Sequence, residues 1–384
     1  MTVFTQWRLK GINMSTGRNN RCPCGSSKKY KHCCLNKKDT SPMILTKEVY
    51  EKDFLPVYNL EMYKPKTFIE FEVVLPFHIP MYISKTITMS TEQGYLSFRF
   101  DMVTTNESYK YPLGEEVPVL NIHKTKMLMM AAIDLDYNEF LKDTEGYYNT
   151  YFDILLSDLN NLVLAYMVSS KDDDCHYLTK EMLQSSILVR STNLETWENE
   201  LSLFLLHPYV PFEKEPLKNN EIDEFSRLQG VVLWNKNPFV IGEQHLLSAK
   251  RYFRQGFYME AVNFAQISVE VLVRTLFEEL LKDEGMTADE VKETLEKTPF
   301  MTIIKKKMSA YLGGTWDVNQ DKTEIGQWYK NTYELRNKAI HRGRIPTFAE
   351  VDKAIHDAIE FKQFVVNRLK ENKKKYPKVN DFFM

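Results

Sequence analysis

The 384-residue chain has no apolar run of the ~18 residues that a membrane-spanning helix requires. Its first fourteen residues also lack the apolar stretch of a signal peptide. A cytoplasmic protein with no membrane partner is therefore expected. Cysteine is scarce: there are five, four of them within thirteen residues and the fifth, Cys175, far away. An odd count with one tight cluster and no export signal argues against a disulfide framework and for a metal site. Acid is missing from the start of the chain. Residues 1–38 hold nine Lys/Arg and no Asp or Glu, whereas the whole chain carries a net charge of −2. The remainder thus has 41 basic and 52 acidic residues, and the basic arm suits an anionic partner.

The length allows two or three domains. The text divides into a basic arm at 1–40, a middle region at 41–235, a helical region at 236–375 and a tail at 376–384. The expected fold class is α+β and multidomain: a small N-terminal knuckle, a mostly antiparallel sheet with a helix in the middle, and an all-α bundle of four or five helices.

In the arm, Cys22, Cys24, Cys33 and Cys34 follow a C-x-C-x8-C-C spacing. Zinc takes four soft ligands in a tetrahedron, and two close pairs separated by a turn supply them. Pro23 stiffens the first pair, and Gly25-Ser26-Ser27 lets the chain reverse. So short a stretch has no core, so metal binding would be its folding energy. His32 stays outside the set because Cys34 completes the second pair.

The run from Arg18-Asn19 through Cys22-Pro23-Cys24-Gly25-Ser26 and Lys28-Lys29-Tyr30-Lys31 to Cys33-Cys34 resembles the SEC-C motif, the zinc module at the C-terminus of the SecA translocation ATPase. Ser27 stands where a second Gly is usual. The likeness covers about twenty residues, and no Walker A motif accompanies it. It implies a structural Zn²⁺ and a docking role toward acidic proteins or ribosomal surfaces.

In the middle region, Thr67–Pro76, Met81–Met89 and Tyr95–Met102 are rich in β-branched and aromatic residues with partial alternation and read as strands. Val117–Ile122 and Ser186–Arg190 are further candidates. Phe152, Leu155, Leu159, Leu162 and Tyr166 repeat at three and four, which predicts a helix over Tyr147–Val168. Asp172–Asp174 with Cys175 and His176 reads as a solvated loop in preference to a metal site. Pro208–Asn237 reads as a linker.

Beyond Glu243 the helical period dominates. Leu246, Ala249 and Phe253 mark one helix, which Gly256 breaks. Val262, Ala265, Val269, Leu272 and Leu276 mark a second, and Ile325, Trp328, Thr332, Leu335 and Ala339 a third. Thr347-Phe348-Ala349-Glu350 is capping-box text. It opens a fourth helix with Val351, Ala354, Ala358, Phe361 and Val365 inward. Short and medium connections predict an antiparallel bundle.

The third helix carries Arg336-Asn337-Lys338-Ala339-Ile340-His341, an R-x4-H spacing, with Gly343 and Pro346 ending the helix. With the earlier Ala249, Phe253, Gly256, Tyr258, Ala261 and Glu270, this segment resembles the HEPN superfamily over residues 243–370. The resemblance implies a helical homodimer, a composite active site at its interface, and RNA cleavage to a 2′,3′-cyclic phosphate. It points to a toxin or an antiviral defence effector.

At ~100° per residue, Asn337 and His341 fall on a face turned away from Leu335, with Arg336 beside it. A two-fold partner would wall that face into a cleft. RNA supplies its own nucleophile, the 2′-hydroxyl, so no metal is required. Imidazole exchanges protons near neutrality, which suits His341 to acid–base work. Arg336 offers a planar fork to phosphate, and Asn337 orients either group. Lys305–Lys307 and Lys373–Lys375 are candidates for phosphate contacts. The competing reading is a non-catalytic zinc-binding adaptor that docks ribosomes or proteins and dimerises through its bundle.

Overall fold

The computed structural model describes residues 29, 45–81, 85–92, 94–110, 116–209, 215–233 and 237–383. The chain splits into two compact units, Met1–Pro208 and Tyr209–Met384.

The first unit is built on one antiparallel sheet. Its strands are β1 (Thr67–Val74), β2 (Lys85–Thr91), β3 (Gly94–Lys110), β4 (Glu116–Ile133), β5 (Ser186–Asn193) and β6 (Asn199–Leu205), in the spatial order β2-β3-β4-β1-β5-β6. Side chains alternate between faces along each strand. Ile69, Phe71 and Val73 of β1, Leu96, Phe98 and Phe100 of β3, and Met127, Met129 and Ala131 of β4 share one face. That face is covered by helix α1 (Thr144–Ser170) through Phe152, Leu155, Leu159 and Val163. The Phe152 ring meets Phe71 edge-on at 5.3 Å. Asp143 starts α1 by accepting the Gly146 amide at 3.1 Å, an N-cap of the usual carboxylate kind.

The other face has a smaller core. The helical turns Lys47–Val49, Tyr50–Phe54 and Leu55–Val57 place Tyr50, Phe54 and Tyr58 over Phe68, Tyr95, Met130 and Ala132. Tyr58 stacks on Tyr95 at 4.1 Å. At the edge of the sheet, Leu201, Leu203 and Leu205 of β6 are exposed, Leu203 by 73%.

The expected strands at Thr67–Pro76 and Tyr95–Met102 and the helix at Tyr147–Val168 are present, with altered bounds. Residues 82–84, in the expected Met81–Met89 strand, lie outside the described set, and β2 runs from Lys85 to Thr91. β4 extends well past Val117–Ile122, and β6 is additional. The stretch expected to be a linker contains helix α2 (Asn219–Leu233). Ile222, Phe225, Leu228 and Val232 recur at helical spacing there, all exposed.

The second unit is helical: α3 (Val240–Arg254), α4 (Tyr258–Asp283), α5 (Ala288–Lys297), α6 (Glu324–Trp328), α7 (Glu334–Arg342) and α8 (Phe348–Glu371). Shorter turns lie at Phe300–Thr302, Met308–Leu312 and Pro377–Asp381, and π-turns at Ile303–Lys307 and Tyr329–Tyr333. Gly256, at φ +82°, parts α3 from α4, a conformation that glycine tolerates best. Every apolar position read as inward in the four expected helices is buried. The capping box that opens α8 has both its bonds, Glu350 N–H to Thr347 Oγ1 at 3.3 Å and Thr347 N–H to Glu350 Oε2 at 2.9 Å. No helix among the described residues is long and apolar enough to cross a membrane.

Candidate functional site

The helix that bears the R-x4-H motif is held at a definite rotation. Ile325, Trp328, Thr332, Leu335 and Ala339 are buried along one side of α6, the following π-turn and α7. Polar bonds set the angle. Trp328 Nε1 donates to Gln266 Oε1 of α4 at 3.1 Å, and Thr332 Oγ1 donates to the Ala354 carbonyl of α8 at 2.8 Å. Asn331 Nδ2 donates to the buried Asp357 at 2.7 Å, and Lys353 pairs with the same carboxylate at 3.4 Å. Unpaired buried polar groups are costly, so these bonds disfavour rotation of the helix.

That orientation leaves the motif on the opposite side. Arg336 and Asn337 are half-buried and His341 is exposed. Arg336 Nη1 donates to Asn337 Oδ1 at 3.2 Å. Arg336 Nε is buried with no acceptor among the described residues. The structure joins Arg336 and Asn337 directly. His341, one turn further on, has no hydrogen bond or ion pair among the described residues. Gly343 ends α7 at φ +63°, its amide returning to the Lys338 carbonyl, the left-handed C-terminal stop of many helices. Arg344 then pairs with Glu350 at 2.7 Å. The chain therefore turns back immediately after His341.

Chemically, the triplet offers a cation, an amide bonded to it, and a solvent-facing imidazole. It lies apart from the cavity of about 220 Å³ lined by Phe239, Leu246, Leu272 and Phe383.

Two residues absent from the sequence-based site follow the same helix. Tyr329 and Tyr333 precede Asn337 and His341 at steps of four. Their rings stack at 5.2 Å with 16° between planes. The step of four was visible in the sequence; the stacking was not.

Cys175 corrects an expectation. The segment Asp172–His176 reads as a solvated loop, but Cys175 is buried. Burial, with Asp172 beside it, pushes the thiol up to about 12. The reason is packing: Leu178 is fully buried and bonded to Asn160 of α1 through both its N–H and its carbonyl. The neighbouring Asp172 accepts from Tyr166 at 2.7 Å. Among the described residues, no three His, Cys, Asp or Glu side chains gather as metal ligands.

Cys22, Cys24, Cys33 and Cys34 lie outside the described residues. Four thiols in two close pairs are a donor set that suits zinc. Residues 18–36, a span that includes all four, match the family model of the SEC-C motif. No solved structure matches the chain. The chain therefore carries, at 18–36, a SEC-C motif, a known zinc-binding motif.

Proposed function

We propose that this chain is a metal-independent endoribonuclease of the HEPN type, with its SEC-C motif as a zinc-stabilised docking module. The carrying observation is the arrangement on α7: Arg336 is bonded through Nη1 to Asn337, and the exposed His341 follows one turn after Asn337. The planar guanidinium fork has further N–H groups with which to hold an anion. The phosphodiester of RNA is such an anion, and the 2′-hydroxyl of the adjoining ribose would be the group that His341 deprotonates.

In this reading the His341 imidazole takes the 2′-hydroxyl proton as the 2′-oxygen bonds to phosphorus. The bond from phosphorus to the 5′-oxygen breaks, and an imidazolium returns a proton to that leaving oxygen. The products are a 2′,3′-cyclic phosphate and a 5′-hydroxyl. Arg336 stabilises the charge that builds on the non-bridging oxygens. A second copy of the bundle, related by a two-fold axis, supplies the opposite wall. Zinc in the knuckle holds that module folded. The setting is a toxin or defence effector that cuts RNA in the cytoplasm, docked by its basic arm to an acidic protein or a ribosomal surface.

The test is cleavage of RNA by purified protein in EDTA, with Arg336→Ala and His341→Ala alongside. Loss of the acid–base group should slow cleavage by about 10²-fold or more. Activity shared equally by all three proteins under activating conditions removes the catalytic reading. The SEC-C match itself favours a second reading, a non-catalytic adaptor. That reading expects a partner that co-purifies, is lost with Cys33→Ser and Cys34→Ser, and is indifferent to His341→Ala.

A further inference from the structure

Upstream of the motif, the surface has features that the ribonuclease chemistry leaves unused. The stacked pair Tyr329 and Tyr333 sits in the π-turn that feeds α7. Lys305, from the separate π-turn Ile303–Lys307, holds its ammonium 5.4 Å from the centre of the Tyr329 ring. Lys305, Lys306 and Lys307 are all exposed, and none has a carboxylate partner among the described residues. Nearby Lys330 is already engaged by Asp321 at 3.0 Å. The one acid of α7, Glu334, is paired with Lys338 at 3.6 Å. The strip from Lys305 to Arg336 is therefore net positive and has aromatic rings at its middle.

Both tyrosines also pack on the bundle core, and a purely structural role would account for that contact. It would not account for Lys305, which has no carboxylate partner among the described residues, being brought over one of the rings. Stacked aromatic rings beside free cations are the means by which proteins hold unpaired bases and their phosphates. The distance is suitable: Tyr333 to His341 is eight residues, about 12 Å along a helix.

We infer that Lys305, Tyr329 and Tyr333 form a track for single-stranded RNA, with bases on the tyrosine stack and phosphate on the lysine turn, leading to Arg336 and His341. The inference rests on the ribonuclease reading only for what happens at the end of the track. A duplex is excluded as the favoured ligand because its bases are already stacked on one another.

The experiment is fluorescence anisotropy of the full-length protein, in the His341→Ala background, with a short labelled unstructured RNA and with the same RNA as a duplex. The single strand should bind more tightly than the duplex. Tyr329→Leu and Tyr333→Leu should each weaken it by about tenfold, the usual effect of losing one stacked base. Tyr329→Phe, which keeps the ring, should bind like the parent. Lys305→Ala, at an exposed site whose ammonium has no carboxylate partner among the described residues, should lower the salt dependence by about 0.7 in log–log slope. Equal affinity for duplex, absence of single-strand binding, or indifference to both leucine variants and to Lys305→Ala overturns the track. Cleavage by the unmutated protein is measured in parallel. Tyrosine-dependent binding without cleavage leaves the track standing and removes the ribonuclease reading. Cleavage with tyrosine-independent binding does the reverse.

Discussion

Glu70 of β1 and Arg190 of β5 stand directly opposite each other across the ladder, with 3.7 Å between Oε2 and Nη1. Both are nearly excluded from solvent, and Glu70 Oε2 has no hydrogen-bond donor among the described residues. Burial pushes the carboxyl up to about 7, against the opposing pull of Arg190 and Arg99. The ordinary glutamate value is 4.5. As pH rises between these two values, the unfolded chain loses the proton while the folded chain keeps it, so stability falls. Below that window the contribution is fully present; above it, it is gone. Glu70→Gln cannot lose a proton. It should gain stability relative to the parent as pH rises from 5 to 8, by up to about 3 kcal/mol. Urea unfolding of both proteins at the two ends of the range measures this, and parallel pH profiles would contradict it.

Asn160 of α1 holds the segment after the helix through two buried bonds to Leu178, its Nδ2 to the carbonyl at 2.9 Å and the Leu178 amide to its Oδ1 at 2.7 Å. Asn160→Ala strands both backbone groups, at about 2–4 kcal/mol of stability in total. A loss below ~1 kcal/mol in denaturant titration would mean that water reaches Leu178.

Cys175 should be chemically silent in the folded protein. A thiol held up at about 12 and buried is almost entirely protonated at neutral pH, and the thiolate is the reactive form. Labelling with a thiol-specific reagent should leave Cys175 unmodified until the sheet unit unfolds. Peptide mapping of native and denatured samples reads the difference directly.

The SEC-C motif sets a stoichiometry. Four thiolate ligands hold one zinc ion, so metal analysis should find about one zinc per chain. Cys22→Ser and Cys34→Ser should each bring it close to zero. Retention of zinc in both variants would place the metal elsewhere.

Much of the helical unit was legible in advance because its helices are long and strongly periodic. Ile325, Trp328, Thr332, Leu335 and Ala339 read as one buried stripe and are one. β4 was harder. Met127-Leu128-Met129-Met130-Ala131-Ala132 shows no alternation, because both faces of this strand are covered: Met127 and Met129 by α1, Met130 and Ala132 by the turns around Tyr50 and Phe54. The second covering also buries Glu70, whose alternation with Phe68, Ile69 and Phe71 gives no hint of it. The R-x4-H spacing was visible because it lies within one helix. The approach of Lys305 to Tyr329 joins two elements 24 residues apart, and no local period encodes that.

The outward leucines of β6 have a consequence for handling the protein. An edge strand normally carries a lysine, a proline or a bulge to deter a neighbouring chain. Leu201, Leu203 and Leu205 instead present a row of exposed apolar side chains on the outermost strand of the described sheet. Concentrated solutions should self-associate through that strand. A charge at its most exposed position, Leu203→Lys, should raise the concentration at which scattering begins while leaving the sheet intact.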